Sequence, residues 1–336
     1  MAPPPLSDQV IVITGASSGI GRAAAIDAAR AGATVVLLAR NEQALNEACA
    51  EAAEGGGMTV PIVTDVGDRE AVERAAQEVL ARFGRVDTWV NNAGVYAVAP
   101  VERMTSEEME QVIRVNVLGV IYGTKAVLPH FIERGSGVLI NVSSVVGTRG
   151  TPLLAPYVAS KHAVKGFTES FRMEMERDHP GIAVCLILPA SINTPIFRHA
   201  LSRIGVHPRP FPPVWSPEIV SDAILDCAVS PKRDVFVGMG RGMAAMEGMA
   251  PGILDHVMLT GGAAYRAQES DMPEDTRHNL FGPMPAETYG VYGEWMDEMR
   301  ETSLGTKLIE LHPTRAKVLT AAAGAAAIVA FARRGR

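Results

Sequence analysis

Short runs of β-branched and aliphatic residues recur through the first 190 positions, at 10–14, 34–39, 59–64, 88–91, 138–142 and 182–188. Longer segments of helical composition separate them, among them 22–31, 43–54, 70–83 and 155–176. Runs that are apolar at successive positions predict strands covered on both faces, and their alternation with helices predicts βαβ units around a parallel sheet. The expected fold class is therefore α/β, a doubly wound parallel sheet with helices on both sides. A helix over 217–229 and a strand over 234–237 extend the pattern. In such a sheet ligands sit beyond the carboxyl ends of the strands, so functional residues are expected just after them.

Between 190 and 216 the periodicity stops and prolines crowd in at 195, 208, 210, 212 and 213. A connection this long predicts a lid over a ligand. The large apolar residues Ile196, Phe197, Ile204, Phe211 and Trp215 either line that ligand's site or pack the lid onto the core. Residues 238–304 are rich in methionine and glycine, and the pattern there assigns no element.

The chain has 336 residues, 47% of them hydrophobic, which is ample for a core. Its formal net charge of −6 and aromatic content of 5% argue against a nucleic-acid surface. Cys49, Cys185 and Cys227 lie far apart without CxxC spacing and read as free thiols in a reducing compartment. The start, MAPPP, has neither the basic nor the apolar part of a secretory signal, so a cytoplasmic protein is expected.

Chemistry concentrates at the strand ends. After the first run stands TGASSGIG, in which Gly15, Gly19 and Gly21 permit close approach of a phosphate to backbone N–H groups at a helix N-terminus. The same glycines also suit a tight turn with no ligand, and the GxxxGxG spacing alone leaves both readings open. After the fourth run comes Asn91-Asn92-Ala93-Gly94, and after the fifth Ser143-Ser144, followed by Tyr157 and Lys161 in YVASK. Tyr157 and Lys161 share a helix face at i,i+4, where an ammonium beside the phenol is expected to favour the phenolate and bring it towards neutral pH. His162 points away from that pair and reads as a surface residue.

These four motifs, in this order and with a serine thirteen residues before the tyrosine, resemble the short-chain dehydrogenase/reductase family over residues 8–237. The resemblance implies a Rossmann-like fold with strand order 3-2-1-4-5-6-7. It also implies hydride transfer between NAD(P) and a carbonyl or secondary alcohol. By position it makes Tyr157 the acid of reduction and the base of oxidation, with Lys161 lowering its pKa and binding the nicotinamide ribose. Ser144 orients the substrate oxygen, and Asn116 anchors a water in the proton relay. The implied cofactor contacts are Gly15, Ser17, Ser18, Gly19, Ile20, Gly21, Asp65 to the adenine, Val66, Asn92, Ala93, Gly94, Pro189, Ala190, Ile192 and Thr194. The family's usual Pro-Gly after the sixth strand is Pro189-Ala190 here, which is tolerable if φ stays negative at Ala190.

An acid ending the second strand would accept bonds from the ribose of NAD and repel a 2′-phosphate. This chain has Ala39 there and Arg40 next, so NADP is the expected cofactor. A lipophilic substrate such as a steroid, retinoid or long-chain ketone would suit the lid, and a homo-oligomer is expected. The competing reading is an idle nucleotide-binding scaffold or redox sensor that works through its extension and tail, residues 238–336. An epimerase or dehydratase would carry GxxGxxG instead. Met243, Met246 and Met249 recur at helical spacing and predict a core or interface stripe. In the tail, 317–336, the segment VLTAAAGAAAIVAFA precedes Arg333, Arg334 and Arg336. It reads as a docked helix, an oligomer contact or a membrane-seeking end.

Overall fold

The computed structural model describes residues 3–311 except 239, 261–262, 274 and 304. The tail segment 318–332 lies outside the described residues, and so does the side chain of Met243. Seven parallel strands form the central sheet: β1 Val10–Thr14, β2 Thr34–Ala39, β3 Thr59–Val63, β4 Thr88–Asn91, β5 Gly137–Val142, β6 Ile182–Pro189 and β7 Asp234–Val237. Their order across the sheet is 3-2-1-4-5-6-7, as the family resemblance implies.

Alternation along the strands divides the core into two layers. Ile11, Ile13, Val35 and Leu37 point to one face with helices α1 Gly19–Arg30, α2 Glu42–Ala53 and α6 Glu218–Val229. Val10, Val12, Val36 and Leu38 point to the other face, with α3 Arg69–Phe83, α4 Ser106–Arg134 and α5 Ala155–Asp178. Local signals set the helix ends. The Asp68 carboxylate caps α3 by accepting from the Glu70 and Ala71 amides, and Gly84 ends that helix at φ 68°. Thr105 and Glu108 form a capping box before α4.

Helix α4 is long and apolar enough to cross a membrane by length and composition. Here it is a core helix, with Val112, Val127 and Phe131 packed under the sheet. Its register slips into a π-turn over Arg114–Leu118, and Asn116 sits in that turn.

A chain of buried amides links the middle of the sheet to its helices. Trp89 Nε1 donates to Asn91 Oδ1 at 2.8 Å, Asn91 Nδ2 to Asn141 Oδ1 at 2.9 Å, and Asn141 Nδ2 to Thr168 Oγ1 at 2.9 Å. Each link satisfies a polar group that burial would otherwise leave unpaired.

Beyond β7 the chain forms a helical hairpin, α7 Gly240–Met249 and α8 Pro251–Leu259, and then returns across the strand ends. Strand Glu269–Pro273 pairs antiparallel with lid strand Val206–Pro208, and Met299–Arg300 pairs parallel with Val214–Trp215. The lid and the extension thus form one cover. The methionine pattern does not make a core stripe: Met249 is 78% exposed and Met246 49% exposed.

Candidate functional site

A cavity of about 710 Å³ opens above the carboxyl ends of the strands. Gly15, Ser17, Ser18, Gly19 and Ile20 form one wall, with Asn92, Ala93 and Gly94 beside them. The glycines are sterically required. Gly15 and Gly19 have φ of 68° and 55°, and a Cβ on Gly19 would stand 3.0 Å from Thr194 Cβ. Gly21 does not line the cavity. It lies inside the turn, where a Cβ would come within 2.4 Å of the Gly15 carbonyl oxygen. The Thr14 hydroxyl ties the turn to the NNAG segment by accepting from the Asn92 and Ala93 amides at 2.9 and 3.0 Å.

Ser144, Tyr157 and Lys161 converge on the same cavity. Lys161 Nζ donates to the Val142 carbonyl at 3.2 Å and lies 5.6 Å from the Tyr157 ring centre. Burial lowers the Lys161 ammonium to about 8. The Tyr157 phenol moves the opposite way from the sequence expectation. Burial pushes it well above the usual tyrosine value, and the hydrogen bond with Ser144 only partly offsets this. The ring lies edge-on to Tyr96 at 4.7 Å, in an apolar cluster with Leu154 and Phe197. Desolvation among these rings therefore holds the phenol in its protonated form.

Neighbouring serines differ in placement. Ser143 turns inward to the Lys161 carbonyl at 2.8 Å, while Ser144 faces the cavity and accepts from the Val146 amide at 3.3 Å. Asn116 is fully buried, its Oδ1 accepting from the Val95 amide at 2.8 Å and its Nδ2 donating to Val95 O and Ser160 Oγ, both at 3.0 Å. A Cβ on Gly94 would lie 3.3 Å from Asn116 Oδ1 and 3.7 Å from Lys161 Nζ, so both groups border this glycine. His162 is exposed, as expected, with Nδ1 2.9 Å from the Val158 carbonyl.

At the other end of the cavity stand Ala39, Arg40, Thr64 and Val66. Arg40 Nη2 donates to the Asn279 carbonyl at 2.6 Å, while the buried Nη1 has no hydrogen-bond partner. Asp65, for which an adenine contact is implied, stands between the cavity-lining Thr64 and Val66. Its carboxylate accepts from the Gly67 amide at 2.9 Å and stands 4.0 Å from Arg40, outside the cavity wall. Pro189, Ala190, Ile192 and Thr194 line the wall after β6. Ala190 has no positive φ, so the missing glycine is accommodated.

Ile196, Phe197, Phe211 and Trp215 of the lid face the cavity, whereas Ile204 packs beside the Tyr96–Phe197 cluster. The sequence pattern did not reveal the extension's part. Its backbone carbonyls serve as acceptors: Gly290 O for the Gly19 amide at 2.7 Å, Met284 O for Asn41 Nδ2 at 2.9 Å and Leu280 O for Gln111 Nε2 at 3.2 Å. His199 of the lid joins them. Its carbonyl accepts from the Asn279 amide at 2.9 Å, and its Nε2 lies 2.9 Å from Thr288 Oγ1. Burial lowers its imidazole to about 4, so it is neutral at physiological pH.

The family model for short chain dehydrogenases matches residues 9–204. The chain belongs to the short-chain dehydrogenase family. It is an oxidoreductase of that family, acting between a CH–OH group and its carbonyl with a nicotinamide dinucleotide. This dehydrogenase is similar to an uncharacterized oxidoreductase, YxnA, of Bacillus subtilis, with 42% identity over 275 residues, 81% of this chain and 77% of the relative. Among solved structures it is similar to an alcohol dehydrogenase from the archaeon Thermococcus sibiricus complexed with 5-hydroxy-NADP. The TM-score is 0.59 at 28% identity, covering 68% of this chain and 95% of that one. A metagenomic short-chain oxidoreductase in complex with NADP gives a TM-score of 0.59 at 32% identity, covering 69% and 97%.

Proposed function

We propose that this dehydrogenase uses NADP(H) and acts on lipophilic carbonyl compounds or secondary alcohols. The observation that carries the cofactor choice is Arg40. It is a guanidinium just after β2 whose buried Nη1 makes no hydrogen bond and has the Asp65 carboxylate only at 4.0 Å, next to Ala39 where an acid would favour NAD. A 2′-phosphate supplies the anionic acceptor such a group needs. Gly15, Ser17, Ser18 and Ile20 would hold the pyrophosphate, the Gly19 amide being taken by the Gly290 carbonyl, Asn92–Gly94 and Val66 would hold the adenosine side, and Thr194 with Lys161 the nicotinamide half. When bound, the dinucleotide supplies or accepts the hydride.

The chain's own residues manage the proton. In reduction Tyr157 donates its phenolic proton to the substrate oxygen as the carbonyl carbon takes the hydride. Ser144 donates a hydrogen bond to that same oxygen and fixes its position. Burial keeps the phenol protonated until substrate and cofactor arrive. The Lys161 ammonium then stabilises the phenolate that forms.

The test compares kcat/KM with NADPH and NADH for the parent and Arg40→Asp, with Tyr157→Phe as a control. The parent prefers NADPH and Arg40→Asp reverses the preference. Tyr157→Phe loses about 10²–10⁴ in kcat. An unchanged coenzyme ratio in Arg40→Asp would overturn the NADP reading.

A further inference from the structure

The loop after β5 carries an arginine that none of the motifs accounts for. Arg149 is only 3% exposed, and its guanidinium holds both helices of the α7–α8 hairpin. It pairs with Glu247 of α7 and with Asp255 of α8 at 2.7 Å, and its Nε lies 3.3 Å from Met258 Sδ. A planar fork with five donors can hold two carboxylates at once, so this single side chain fixes the hairpin against the loop that follows the Ser144 strand.

The hairpin's inner face closes the cavity with Met246, Leu254 and Met258, opposite Val146, Leu154 and Phe211. Its outer face is open: Met249, Ile253 and Val257 are 78%, 67% and 59% exposed. The wall is thus one helix layer thick, with no core behind it. Among the described residues lining the cavity from this side are the half-buried Met258 and the half-exposed Met246, unbranched side chains that adjust their shape to what they touch. Among the described residues, the charged side chains lining the cavity are Arg40 and Lys161, both at the proposed cofactor positions. The described hairpin residues on that wall, Gly242, Met246, Leu254 and Met258, carry no charge to offset the desolvation of a charged substrate.

We propose that the α7–α8 hairpin, positioned by Arg149, is a yielding wall of the substrate pocket that fits it to uncharged carbonyl compounds with long aliphatic chains. This rests on the reductase reading above. Arg149 acts through the hairpin as a positioning residue, and Met246, Leu254 and Met258 make the contact.

The test uses the full chain and the 2-alkanones from 2-butanone to 2-undecanone, with two separate readouts. Ketone binding is followed by calorimetry, and NADPH oxidation gives KM and kcat. Parent affinity rises with chain length, by roughly fourfold per buried methylene before it levels off. In Arg149→Ala the affinity ratio of 2-undecanone to 2-butanone falls about tenfold, through KM rather than kcat, and Arg149→Lys restores part of it. Leu254→Trp fills the pocket from the hairpin side and lowers the same ratio without disturbing the Arg149 pairs. If length dependence is absent in the parent, or survives in both variants, the inference is overturned. If length-dependent binding appears and is lost in the variants while no ketone is reduced, the wall stands and the reductase reading fails.

Discussion

Lys161 brings together two demands that a single side chain rarely meets. It must carry charge beside Tyr157 during turnover, yet it is 5% exposed and its only described hydrogen bond is to the Val142 carbonyl. Burial therefore lowers its folded-state value from 10.5 to about 8. Between those values the unfolded chain binds the proton and the folded chain releases it, so stability rises with pH across that window. Below pH 8 both states are protonated and the full cost of the buried charge applies. The parent is therefore expected to gain up to about 3 kcal/mol relative to Lys161→Met between pH 8 and 10.5. Urea melts of both proteins at a series of pH values measure this, and a constant difference would show that the ammonium is not desolvated. The nearby phenol shows why pairing on a helix face is an incomplete guide. Spacing brought Tyr157 and Lys161 to one cavity, but the sign of the tyrosine's shift came from Tyr96, Leu154 and Phe197, which arrive from other segments.

At the scale of elements, α4 meets the sheet so closely that Gly123 has no room for a side chain. A Cβ there would lie 2.2 Å from Asn91 Oδ1 and 2.8 Å from Trp89 Nε1. Gly123→Ala is expected to break the Trp89–Asn91–Asn141 chain and cost about 2–4 kcal/mol, read as a fall in thermal midpoint, or to prevent folding. A parent-like midpoint would show that α4 can move away from the sheet. Strands β1 to β7 and the order of TGASSGIG, NNAG, Ser144 and YVASK could be read from residue patterns because each is a local signal. The helix from Ser106 to Arg134 was not assigned, since its capping box gives way to a π-turn and Pro129 breaks the run. The extension was least readable for a different reason. It reaches the site through the carbonyls of Asn279, Leu280, Met284 and Gly290, and every residue type has a carbonyl.

Across the whole molecule, those carbonyls make the extension part of the dehydrogenase rather than an appendage. A chain ending at residue 274 would lose acceptors for Gly19, Arg40, Asn41 and Gln111, and the strand beside Val214–Trp215. It would also lose Leu280, which is fully buried. At about 1 kcal/mol for each hydrogen bond, a destabilisation of roughly 4 kcal/mol or more is expected, measured by denaturant unfolding. Equal stability of the two chains would show that these contacts are passive. The partner of the Gly19 amide is Gly290, near the far end of the described chain. Synthesis runs from the N-terminus and domains generally fold as they emerge. The glycine turn, Arg40 and the Ser144–Tyr157–Lys161 group therefore leave the ribosome before Gly290 is made. The bond that ties the glycine turn to the extension is thus one that no nascent chain can make until residue 290 has been added.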